Sequence, residues 1–116
     1  MSDARLTTGL WVSALLRRLQ GDGVFVQILA RGDMTAGAVI VSSRSKNGAI
    51  RTLERSYTRS GGPAWIETTA TLLTDSEALA AMMRARSRDP DLWWIEAEVD
   101  DLSPYLDGPI IEPNNS

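Results

Sequence analysis

The chain has 116 residues, of which 43% are hydrophobic and 23% charged, and it contains neither cysteine nor histidine. That describes one soluble globular domain, long enough to bury roughly two thirds of its extended-chain surface. The missing residues exclude disulfides, thiolate nucleophiles, zinc knuckles and iron–sulfur clusters, and with them imidazole general bases and Ser-His pairs.

The formal charge of −3 hides a division. Residues 1–88 hold all twelve basic side chains against seven acids, whereas residues 89–116 hold eight acids and no Lys or Arg. Such a split marks a basic partner-facing region, an acidic tail, or an acidic end that pairs with the basic part of its own chain. The N-terminal twenty residues lack the pattern of a cleavable leader, and no apolar run is long enough to span a membrane. The expected location is the cytoplasm, with no membrane partner.

Helical spacing places Val12, Leu15, Leu16 and Leu19 on one face, with Trp11 beside them. Thr8 is the expected N-cap, Gly21 and Gly23 the stop, and Arg17 and Arg18 complement the last carbonyls. Extended segments follow. Residues 24–30 are apolar on both faces, and residues 37–43 contain Val39-Ile40-Val41. Asn47-Gly48 suits a hairpin turn, after which residues 49–57 set Leu53 and Tyr57 on the same side as Arg51 and Arg55. That mixed face predicts an edge or strongly twisted strand. A fourth strand is expected over 64–73.

Thr74-Asp75-Ser76-Glu77 forms a capping box for a second helix running to about Ser87. Its expected apolar stripe is Leu79, Met82 and Met83, and Asp89-Pro90 ends it. The last strand, 92–99, is expected to bury Trp93, Ile95, Ala97 and Val99 and to present Trp94, Glu96 and Glu98 on its other face. The resulting order α-β-β-β-β-α-β predicts an α+β domain over 1–103. An antiparallel sheet of about five strands would be covered on one face by both helices. Residues 104–116, rich in proline, are expected to form a loose acidic tail.

Few residues carry chemistry. Glu96, Glu98 and Asp100 recur at a strand's period, which could raise a pKa or hold a cation, and equally describes a solvated face. Arg31-Gly32-Asp33 lacks the glycine spacing of a phosphate cradle and suits a turn. Arg44, Lys46, Arg51, Arg55 and Arg59 with Tyr57 form a basic hairpin of the kind that stacks single-stranded nucleic acid. A pI of about 4.8 argues against that use. Adjacent Trp93 and Trp94 point to opposite faces, so Trp94 is either core or an exposed contact.

Three stretches together resemble a known family: 10–18 around Trp11, Arg31-Gly32-Asp33 leading to Ala36-Gly37-Ala38, and Arg88-Asp89-Pro90-Asp91-Leu92-Trp93. In this order the chain, over roughly 9–101, resembles domain of unknown function 1491, small uncharacterised proteins of alphaproteobacteria. The resemblance implies a complete bacterial cytoplasmic domain and brings no catalytic residues. It draws attention to Trp11, Arg17, Asp89, Asp91 and Trp93 as structural residues, with Arg17 or Arg18 expected to pair with Asp89 or Asp91. The sequence thus favours a non-enzymatic binding or regulatory module, partnered by a protein or by itself through a strand edge, with no cofactor and no resident metal. Its binding candidates are Trp94, Glu96, Glu98, Arg31 and Asp33. The alternatives are a small enzyme or metal-dependent protein using Glu96, Glu98 and Asp100, and nucleic-acid binding through the basic hairpin.

Overall fold

A computed structural model describes residues 7–111. Helix α1, Thr8–Gly21, is capped by Thr7, whose hydroxyl accepts the Leu10 amide, one residue before the expected cap. Thr8 is already helical, and its own hydroxyl donates to the Gly37 carbonyl. The strands are β1, Val26–Ala30, β2, Val39–Arg44, β3, Ile50–Tyr57, and β4, Pro63–Glu67. Helix α2, Asp75–Arg88, precedes β5, Trp93–Ala97. A 3-10 turn at Ser103–Tyr105 and a short strand β6, Ile110–Ile111, complete the fold.

The sheet has six strands in the order β1-β5-β2-β3-β4-β6 and is mixed. β2 and β5 run parallel, as do β4 and β6, and the other neighbours are antiparallel. The expected antiparallel five-stranded sheet is corrected on both counts. β5 returns across α2 to insert between β1 and β2, a long-range placement that no local pattern encodes. The tail contributes the sixth strand, so the order extends to Ile111 and the segment from 104 to there is not loose. Residues 112–116 of the expected tail lie outside the described range.

The helices cover opposite faces, not one. Successive strand residues point to opposite sides. Val39, Val41, Trp93, Ile95 and Ala97 meet Trp11, Val12, Leu15 and Leu19 of α1, together with Leu53 and Trp65. Ile40 and Trp94 meet Ala85, with Ala81 and Met82 packed alongside, on the α2 side. This two-sided burial is why β2 and β5 each open on three successive apolar residues, Val39-Ile40-Val41 and Trp93-Trp94-Ile95. The stripe of α2 is therefore Ala78, Met82 and Ala85, while Leu79 and Met83 are exposed. Small residues let the helix lie close to the sheet, and its larger side chains flank the contact.

Two further expectations about the strands change. β4 stops at Glu67, and Leu73 returns only as a single bridge to Ile50. β3 is interior, between β2 and β4, so the edge strands are β1 and β6. The Asn47-Gly48 turn forms with Gly48 at φ 88°, a conformation that costs glycine little. The capping box of α2 is present as expected, with Thr74 and Glu77 each accepting the other's amide.

Candidate functional site

The acidic strand does not assemble a carboxylate site. Glu96 sits on interior strand β5, only 6% exposed, and Arg44 of β2 grips both its oxygens, Nε at 3.2 Å and Nη2 at 3.3 Å. Arg44 also pairs with Asp75 at the start of α2. Hydrogen bonds to Asp75 and Glu96 hold this guanidinium more firmly protonated than usual. Glu98 and Asp100 lie exposed at the strand's end. Among the described residues no group of three or more acidic side chains is placed to hold a metal ion. Trp94, 2% exposed, packs beneath α2 and offers no surface contact.

Three of the five basic residues of the hairpin are neutralised from within. Arg51 donates to Glu67 at 2.8 Å and Arg55 to Asp107 at 2.9 Å. The Arg51 hydrogen bond outweighs burial and holds the Glu67 carboxyl below its ordinary pKa. With Arg44 bound to Glu96, three of the hairpin's arginines face carboxylates of the same chain, two of them from the acidic C-terminal quarter. The charge division is thus partly internal pairing. It explains why β3 mimics an edge strand: its basic face is covered by acids that are distant in sequence.

Asp107 is the residue that sequence reasoning missed. It accepts the indole N–H of Trp65 at 2.9 Å and that of Trp11 at 3.2 Å, besides the Arg55 pair. The two indoles stack with centroids 5.4 Å apart, and the Arg55 guanidinium lies over Trp11 at 5.0 Å. Burial raises the Asp107 pKa, but the bonds from Arg55 and Trp65 more than offset it and leave it lowered. The only local signal was an Asp-Gly-Pro turn, and nothing in it names partners on α1, β3 and β4.

The three stretches that carry the family resemblance converge at one end of the sheet. The first turn of α1 docks on the loop after β1, Thr8 N–H donating to Thr35 O and Gly9 N–H to Met34 O. Asp33 accepts the amides of Thr35 and Ala36, and its own amide donates to Asp91 O at 2.9 Å. The Trp93 indole donates to Asp33 O at 2.8 Å, and Arg31 lies over the same ring. Arg31 and Asp33 are therefore spent on holding the loop to the turn before β5. Asp89 accepts the Asp91 amide and shapes that turn. Arg17 is exposed, and Arg18 donates to Tyr105 O at 2.7 Å. Neither arginine pairs with Asp89 or Asp91, because Thr8, not Arg18, is the end of α1 near that turn, about 15 Å away by helix rise.

A cleft of about 950 Å³ opens at this convergence, lined among others by Thr8, Trp11, Thr35, Arg55, Asp89 and Asp107. The polar groups named are engaged with one another or with main chain, as above, except that the buried Nε of Arg55 has no hydrogen-bond partner; none of Glu96, Glu98 and Asp100 lines the cleft. A smaller depression of about 210 Å³ does reach Glu96, between β1 and α2, where Gln27, Leu29 and Leu79 line it.

That depression leads to the free edge of the sheet. Glu98 N–H donates to Phe25 O at 2.8 Å, so by antiparallel alternation the main chains of Val26 and Ile28 point away from β5. Val26 and Ile28 side chains pack toward α1, while Phe25 is 58% and Leu29 40% exposed. From Gly23 to Ala30 there is no charged residue and no proline. Edge strands usually carry such residues to prevent pairing with another chain. Leu79 and Met83 of α2, one helical turn apart, add to the exposed apolar surface.

A crystal structure of a DUF1491 family protein from Caulobacter crescentus is 30% identical, covering 92% of this chain and all of that one, with a TM-score of 0.82. An NMR structure of a DUF1491 family protein from the same organism is 31% identical over 91% of this chain and 96% of that one, at 0.78. The solution structure of protein Atu0922 from A. tumefaciens is 25% identical, covers 97% of this chain and 99% of that one, and scores 0.77. No curated protein matches the chain significantly. Residues 6–107 match the family described as "Protein of unknown function (DUF1491)", and the chain belongs to that family.

Proposed function

We propose that the protein is a non-enzymatic binding module that engages a protein partner by strand addition along the free edge of β1. The observation that carries this reading is the edge itself: outward main-chain groups at Val26 and Ile28, flanked by exposed Phe25 and Leu29, with no charge to repel a pairing strand. In such docking, main-chain hydrogen bonds supply affinity and alternate side chains supply specificity. Among the described residues the opposite edge is a poor template, because β6 has two residues there and follows Pro109. The internal engagement of Glu96 and of the hairpin arginines speaks against the carboxylate-enzyme and nucleic-acid readings. We infer a cytoplasmic location, a reading supported by the packing of the apolar face of α1 into the core.

Affinity capture from native lysate tests the reading, with wild type compared against a Phe25→Glu/Leu29→Lys variant. Proteins retained by the wild type should be lost from the variant. Retention of the same set by both would overturn the role of the edge.

A further inference from the structure

Building on the edge reading above, we propose that the strand added to β1 is β1 of a second copy of the chain, paired antiparallel about a two-fold axis through Gln27. A strand can pair only through residues whose main chain points outward, here Val26 and Ile28. The register shift between Ile28 and Ala30 ends the regular ladder just beyond them. Three antiparallel registers use these residues. Val26 can face Val26, Ile28 can face Ile28, or Val26 can face Ile28.

Side chains select the third. When Val26 faces Ile28 of the second copy, Phe25 faces Leu29, so exposed apolar groups cover each other across the strands. Gln27 then faces Gln27, and each amide can both donate and accept. Facing Ile28 with Ile28 instead would set Leu29 against Gln27 and leave Phe25 opposite no residue of the strand. Facing Val26 with Val26 would set Phe25 against Gln27 and Leu29 against Gly23. The edge is thus complementary to itself in one register, as a two-fold interface requires.

The test uses sedimentation velocity of the full chain over rising concentration. Wild type should shift toward twice the monomer mass. Gln27→Lys and Gln27→Glu should each weaken the dimer at least tenfold, since like charges then face across the axis, and their equimolar mixture should restore it. Gln27 is exposed, and near-ultraviolet circular dichroism of the tryptophans checks that each variant is folded. The chain has no cysteine, so Gln27→Cys gives a second readout. A non-hydrogen-bonded pair brings Cα atoms to about 4.5 Å, within disulfide reach, and a mild oxidant should cross-link it. Arg59→Cys, far from the edge, should stay uncrosslinked. A wild type that remains monomeric to the highest concentration overturns the second copy as partner. If lysate capture still depends on Phe25 and Leu29 in that case, the edge keeps its binding role with a different protein. A dimer unaffected by Gln27→Lys overturns the proposal by placing self-association elsewhere.

Discussion

The Trp65 indole donates to Asp107 at 2.9 Å, joining β4 to a segment 42 residues further along the chain. Trp11 and Arg55 converge on the same carboxylate, which therefore ties α1, β3, β4 and the C-terminal strap together. Asp107→Ala strips an acceptor from two indoles and leaves Arg55 without its counter-charge. Leaving buried donors unpaired costs about 1–3 kcal/mol, and this variant should lose an amount in that range. Urea unfolding followed by tryptophan fluorescence measures it, and an unchanged midpoint would show that water replaces the carboxylate without cost.

Acid should unfold the protein partly through the same group. Asp107 and Glu67 both have folded-state pKa values below their ordinary ones, so the unfolded chain binds their protons first. Their contribution is complete above the unfolded values, near pH 4, and is lost as pH falls through the lowered folded values. Urea midpoints measured between about pH 2 and pH 7 should decline on the acid side in the wild type. Asp107→Asn and Glu67→Gln should each start lower and decline less. Slopes equal to that of the wild type would assign the acid sensitivity to other carboxylates.

What could be read from the sequence was local. The capping box Thr74–Glu77, the Asn47-Gly48 turn and the alternation in residues 24–30 concern neighbours, and the structure contains each of them; the in-and-out alternation expected of 92–99 is absent, since β5 is buried on both faces. Arg51 and Arg55 were misread as an exposed edge because their acids lie 16 and 52 residues away. Leu79 and Met83 were misassigned to the core because hydrophobicity ranks them above Ala78 and Ala85, whereas close helix–sheet packing favours the alanines. A strand edge as a binding surface was expected, but locating it at β1 required knowing that β5 inserts between β1 and β2.

The Arg44–Glu96 pair makes a separate prediction. Glu96→Gln leaves the geometry but removes the charge that Arg44 faces across two hydrogen bonds. Arg44 is about a quarter exposed and keeps Asp75, so solvent and the second acid moderate the loss to about 1–2 kcal/mol. Arg44→Met with Glu96→Leu should recover most of it, because apolar replacements of buried ion pairs are often neutral. Thermal midpoints of the single and double variants decide this, and a double variant less stable than the single would show that the pair itself is net stabilising.

Gly32 and Gly37 test the convergence of the three motif stretches. A Cβ built at either position collides with the Asp91 carbonyl, which belongs to main chain and cannot rotate aside, and also meets the Trp93 ring. Neither glycine has positive φ, so the requirement is for space and not for backbone conformation. Gly32→Ala should push the loop after β1 off the turn before β5 and strain the Asp33–Asp91 and Trp93–Asp33 hydrogen bonds. Overpacking of this kind costs about 1–3 kcal/mol. Gly21→Ala is the control, since nothing lies within 4 Å of its Cβ and the site is helical. It should be neutral or stabilising by up to about 1 kcal/mol. Equal effects of the two substitutions on the urea midpoint would refute the packing argument. A loss confined to Gly32→Ala, with altered Trp93 fluorescence, would locate the strain at the junction.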